Sequence, residues 1–86
     1  MGSLDEVPAG KRTLVRKLRG GKEFVNRMAA LGFTLGAEVQ VVQNYRRGPL
    51  IALVRGCRVA LGRGEASKVL VEVITNDLGA NTFPSG

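Results

Sequence analysis

The sequence predicts an all-β chain with one short helix, folded as a small barrel of about five strands. Three observations carry this. Short apolar or alternating runs recur at residues 11–18, 39–42, 50–54, 58–61 and 69–74, each closed off by glycine, proline or asparagine. Only one segment, residues 22–31, repeats its apolar side chains at helical spacing, through Phe24, Met28 and Leu31. A chain of 86 residues allows a single domain with a small core, burying about 60 to 65% of its unfolded surface. Closure into a barrel removes the free edges that an open sheet of this size would leave.

The elements follow in order. Residues 3–10 form an opening arm in which Leu4 and Val7 tuck under the core while Pro8 and Gly10 turn the chain. In the first strand Thr13, Val15 and Lys17 share one face, and Leu14, Arg16 and Leu18 share the other, with basic residues outward. Gly20-Gly21 breaks it and admits the helix. Gly32 then stands where a left-handed residue closes a helix, and Phe33 packs back onto Met28 as in a Schellman cap. Gly36 makes a second bend four residues later, before the valines at 39, 41 and 42 start a strand.

Residues 44–49 read as a turn carrying Tyr45, Arg46 and Arg47, the most exposed basic and aromatic feature of the chain. The run 50–54 is too short for a typical helix and rich in strand formers, so it predicts a strand with little solvent on either face. One of those faces is a candidate partner surface. Arg55-Gly56 suits a tight hairpin, which brings Arg58 to Leu61 back alongside. Residues 65–68 have room for one helical turn before a last strand in which Val69, Val71 and Val73 alternate with Leu70, Glu72 and Ile74. A domain over 1–74 and a polar C-terminal tail over 75–86 complete the chain. SH3-like and OB-like barrels both match the strand count, and the helical turn before the last strand favours the SH3-like one.

The totals narrow the function. Thirteen Lys and Arg against seven Asp and Glu give a net charge of +6, which favours anionic partners without separating nucleic acid, membrane surface and acidic protein. No signal-peptide run and no membrane-length apolar stretch is present, so a cytoplasmic setting is expected, with the membrane reached only through a partner. Without histidine no side chain titrates near neutrality unaided, and the lone Cys57 has no imidazole to activate it. Its plainer role is that of a small strand residue. The carboxylates are scattered, so the chain is expected to be no enzyme, with no cofactor and no metal-ligand set. Gly20-Gly21 before a helix resembles the start of a phosphate loop but lacks the rest of that motif.

A more specific signal lies in the order of short motifs. Ser3-Leu4-Asp5-Glu6-Val7-Pro8-Ala9-Gly10, then Arg27-Met28-Ala29-Ala30-Leu31-Gly32-Phe33-Thr34-Leu35-Gly36, then Gly48-Pro49-Leu50, Arg55-Gly56-Cys57-Arg58-Val59-Ala60-Leu61 and Glu65-Ala66 resemble the FeoA family. The similarity runs over residues 3–73. The resemblance implies an SH3-like barrel and an accessory role in bacterial ferrous iron uptake beside FeoB, a membrane transporter with a cytoplasmic GTPase domain. It implies no catalysis. The family often has proline where this chain has Leu35, which leaves an apolar side chain at that turn.

The expected partner is the cytoplasmic domain of a FeoB-like transporter, with Arg27, Leu35, Tyr45, Arg46 and Arg47 on the contact surface. Nucleic acid is not expected. A small basic nucleic-acid-binding barrel, with Tyr45 stacking a base, is the alternative function, and it has only that one aromatic to offer. Weak self-association through the apolar 50–54 edge is a further expectation.

Overall fold

Alternating β-branched and aliphatic residues become strands here because each run buries one row of side chains in a common core. The computed structural model describes residues 2–45 and 47–74. In chain order the elements are β1 (Gly2–Ser3), a 3-10 turn (Leu4–Glu6), β2 (Arg12–Leu18), α1 (Lys22–Ala30), β3 (Glu38–Gln43), β4 (Leu50–Val54), β5 (Cys57–Leu61), α2 (Arg63–Ala66) and β6 (Val69–Val73). The strands form one antiparallel sheet in the order β1-β6-β2-β3-β4-β5, wrapped around the core as an SH3-like fold.

Leu4, Val15, Met28, Phe33, Val39, Val41, Leu50, Ala52, Leu61 and Val69 are wholly buried, so the arm, the helix and every strand from β2 to β6 contribute to one core. Thr13 is buried among them, and its hydroxyl donates to the Val39 carbonyl at 2.9 Å, which removes the cost of an orphaned polar group. Val7 packs at the edge of the same core, as the arm's sequence predicts.

Four features depart from the sequence expectations. The sheet has a sixth strand, since Gly2 and Ser3 pair with Val71 and Leu70. Lys17 is exposed, as expected of the basic residues, but it does not share a face with Thr13 and Val15, and Leu18 packs against the core instead. The register shifts between Val15 and Lys17, making Arg16 the extra residue of a β-bulge that resets the alternation. A second bulge, at Val42, bends β3 against β4. Leu31 is 39% exposed and does not complete the helical stripe, because α1 ends at Ala30 and Leu31 is its C-cap. In β4 the inner row, Leu50, Ala52 and Val54, is sealed, whereas Ile51 and Leu53 on the outer face are only half-buried.

The helix end forms as its sequence predicts. Phe33 N–H donates to the Met28 carbonyl at 2.8 Å and Gly32 N–H to the Ala29 carbonyl at 3.0 Å, the paired bonds of a Schellman cap. Gly32 and Gly36 hold φ of 103° and 85°, so both bends need a residue without a β-carbon. Gly36 N–H then bonds the Val15 carbonyl at 2.7 Å, which anchors the loop to β2.

Among the described residues no ladder joins β1 to β5, the two ends of the sheet. Side chains tie the segments that follow those strands at one end of the molecule. Asn44 Nδ2 donates to the carbonyls of Asp5 and Val7 at 3.0 and 2.8 Å. Arg63 Nη2 donates to the Asp5 carbonyl and to Asn44 Oδ1, both at 2.9 Å, and its Nη1 reaches the Gly48 carbonyl at 3.2 Å. Two polar residues thus tie the arm, the β3–β4 loop and α2 together. The expected tail, 75–86, and Arg46 lie outside the described residues.

Candidate docking surface

The sequence-predicted contact residues occupy different ends of the barrel. Leu35 rides on the loop between the Gly32 and Gly36 bends and is 68% exposed. Tyr45 follows β3 in the loop held by Asn44 and is 73% exposed, with Arg47 exposed two residues on. Strand β3 separates the two, and its six residues span about 20 Å at about 3.3 Å each. Leu35 and Tyr45 therefore do not share one small patch.

Arg27 has its own neighbours. Its guanidinium pairs with Glu65 at 2.8 Å and lies 5.8 Å from the centroid of the Phe24 ring, on which Lys68 Nζ also sits at 5.5 Å. Glu65 in turn accepts the Gly62 N–H at 3.3 Å through its other oxygen. The Arg27 head thus links α1 to α2 while remaining more than half exposed. Arg12–Glu38 and Arg16–Glu72 are the other ion pairs among the described residues, both well exposed. Among the described residues Lys17, Arg19, Arg47, Arg55 and Arg58 have no ion-pair partner, so the surplus positive charge stands free on the surface.

The β4–β5 hairpin contributes what sequence reasoning overlooked. Arg55 and Gly56 form its two-residue turn with φ of 53° and 78°, and Arg55 is exposed there. A β-carbon added at Gly32 would lie 3.2 Å from Val54 Cγ2 and 3.5 Å from Arg55 Cδ, so the helix end packs directly on this turn. Leu35 and Arg55 are accordingly at the same end of the molecule. The Arg55-Gly56 dipeptide signals the hairpin, but only the sheet order places β5 at an edge.

A groove of about 410 Å³ runs along β1 and β6, lined by Ser3, Glu6, Val7, Pro8, Glu72 and Val73. Among the described residues no three His, Cys, Asp or Glu side chains come together to hold a metal ion. Cys57 is exposed at the start of β5. No helix among the described residues is long and apolar enough to cross a membrane.

Fold and surface define a class: a small SH3-like domain that presents loops, exposed cations and, among the described residues, an unpaired strand edge at β5. The chain belongs to the FeoA family, whose domain model matches residues 2–73. It is 33% identical over 63 residues to a protein of Methanocaldococcus jannaschii named as an Fe(2+) transport protein A, covering 73% of this chain and 76% of that one. A crystal structure of an iron uptake regulatory protein, FeoA, superposes with a TM-score of 0.81 at 33% identity, over 84% of this chain and 96% of that one. The FeoA of Stenotrophomonas maltophilia, solved with zinc and described as a prokaryotic SH3 domain protein, gives a TM-score of 0.69 at 30% identity, over 84% and 91% of the two chains.

Proposed function

We propose that this chain is a non-catalytic accessory protein of ferrous iron uptake that docks, in the cytoplasm, on the cytoplasmic domain of a FeoB-like transporter and modulates it. The observation that carries this reading is the family match over nearly the whole described domain. The surface supports it, since exposed Leu35 and Tyr45 and the unpaired arginines suit contact with an acidic protein. Long-range attraction to the basic face speeds encounter, and burial of the exposed apolar side chains sets how long the complex lasts. Arg27, Leu35, Tyr45, Arg46 and Arg47 remain the proposed contact residues, with Arg27 offering the face of its guanidinium not taken by Glu65.

A pull-down of the transporter's cytoplasmic domain tests the reading. Wild-type protein is expected to retain it at moderate salt, and the Arg46→Glu, Arg47→Glu double variant to lose most of it. Retention by the double variant removes those two residues from the contact. In cells, deletion of this chain with the transporter kept is expected to lower ferrous iron uptake, and undiminished uptake sinks the accessory role.

A further inference from the structure

Among the described residues strand β5 is the last strand of the sheet and bonds to β4 alone. Pairing starts at Val54↔Cys57 across the two-residue turn, so those residues exchange both ladder bonds, and Val59 and Leu61 repeat the pattern. The N–H and C=O groups of Arg58 and Ala60 therefore point away from the sheet, and both residues are exposed. No register shift interrupts β4–β5. The edge carries no bulge or proline, and Arg58 is its one charged side chain. The opposite edge is guarded: β1 has two residues and passes at once into a 3-10 turn.

The chemistry beside this edge is specific. Arg58 lies in register with Leu53 and Gln40 across the outer face, and Ala60 with Ile51. Half-buried Ile51 and Leu53 offer apolar contact, while Arg55 and Arg58 have no ion-pair partner among the described residues. An added strand would find main-chain donors and acceptors, two guanidinium groups and a small apolar floor. A second copy of this chain is a poor occupant, because two proteins of net charge +6 would bring their Arg58 side chains together.

We propose that β5 is a docking strand that takes an extended, acidic segment of the partner protein as a seventh strand. Main-chain bonds at Arg58 and Ala60 hold the segment, and carboxylates set against Arg55 and Arg58 select it. The inference deepens the docking reading and rests on it for the identity of the partner.

The test uses the full chain labelled for amide spectroscopy, a blocked octapeptide of alternating Glu and Val, its Lys–Val counterpart, and the transporter's cytoplasmic domain. Bound Glu–Val peptide is expected to slow amide exchange at Arg58 and Ala60 by about tenfold or more, and the Lys–Val peptide to leave it unchanged. Ala60→Pro removes an outward N–H that bonds nothing among the described residues, a place where a strand tolerates proline. Arg58→Glu keeps the backbone and reverses the charge. Each is expected to weaken the Glu–Val peptide by about tenfold or more with the amide spectrum otherwise retained. Unchanged exchange at Arg58 and Ala60, equal protection by the Lys–Val peptide, or full affinity in both variants overturns the edge. A transporter domain that binds wild type and both variants alike overturns the edge and leaves docking standing. A transporter domain that ignores wild type, while the Glu–Val peptide protects the edge, overturns the docking reading alone.

Discussion

Arg55 holds a φ of 53°, the left-handed region that non-glycine residues occupy at a cost of about 1 kcal/mol or more. Asparagine tolerates that region and is favoured at this place in a two-residue hairpin. Arg55→Asn is therefore expected to stabilise the protein by roughly 1 kcal/mol, raising the thermal midpoint by about 4–8 °C. The same change should weaken an acidic ligand, so a gain in stability with a loss of docking separates the two roles of the residue. Gly20 shows the opposite constraint. A β-carbon there would lie 2.6 Å from Phe24 Cδ2, inside any tolerable contact. Gly20→Ala must displace the ring that Arg27 and Lys68 cover, and a loss of about 1–3 kcal/mol in urea unfolding is expected. An unchanged midpoint would mean that the ring swings aside freely.

Between elements, Asn44 and Arg63 join the arm, the β3–β4 loop and α2. Asn44→Ala takes from the Val7 carbonyl the donor that reaches it at 2.8 Å, and Arg63→Ala takes from the Gly48 carbonyl the donor that reaches it at 3.2 Å. Each is expected to cost about 1–3 kcal/mol. Because the two side chains share the Asp5 carbonyl and bond each other, the double variant should fall short of the sum by about 0.5 kcal/mol or more. Additivity in urea unfolding would show that they act separately. None of this was legible in the sequence, where Asn44 opens the turn over 44–49 and Arg63 falls between the 58–61 run and the helical turn at 65–68. Hydrogen bonds between residues 19 positions apart leave no periodic trace. The helix end was legible because its determinants are local: Met28, Gly32 and Phe33 sit within one turn and a half. Gly2–Ser3 was not, since two residues cannot display an alternation. Bulges at Arg16 and Val42 were hidden for a related reason: an inserted residue shows only against its partner strand.

For the molecule as a whole, the sequence disclosed the charge and the family but not how charge meets shape. Arg46-Arg47 and Tyr45 drew notice because they sit together in the chain, whereas Arg55 and Arg58 matter through the position of β5 in the sheet order. Paired arginines at 12, 16 and 27 contribute little to the external field, while the unpaired cations leave most of the +6 charge to act at a distance. Attraction of that kind operates before contact and is screened once the Debye length falls from about 10 Å at 0.1 M salt toward about 3 Å at 1 M. Apolar contact by Leu35 operates after docking and is nearly indifferent to salt. Stopped-flow mixing with the transporter's cytoplasmic domain should accordingly show an association rate that falls about tenfold or more between 0.05 and 0.5 M salt, with dissociation changing much less. Leu35→Ala should do the reverse, raising the dissociation rate several-fold and leaving association and its salt slope intact. A salt-independent association rate would exclude steering by the basic surface, and a Leu35→Ala complex as long-lived as wild type would take Leu35 out of the interface.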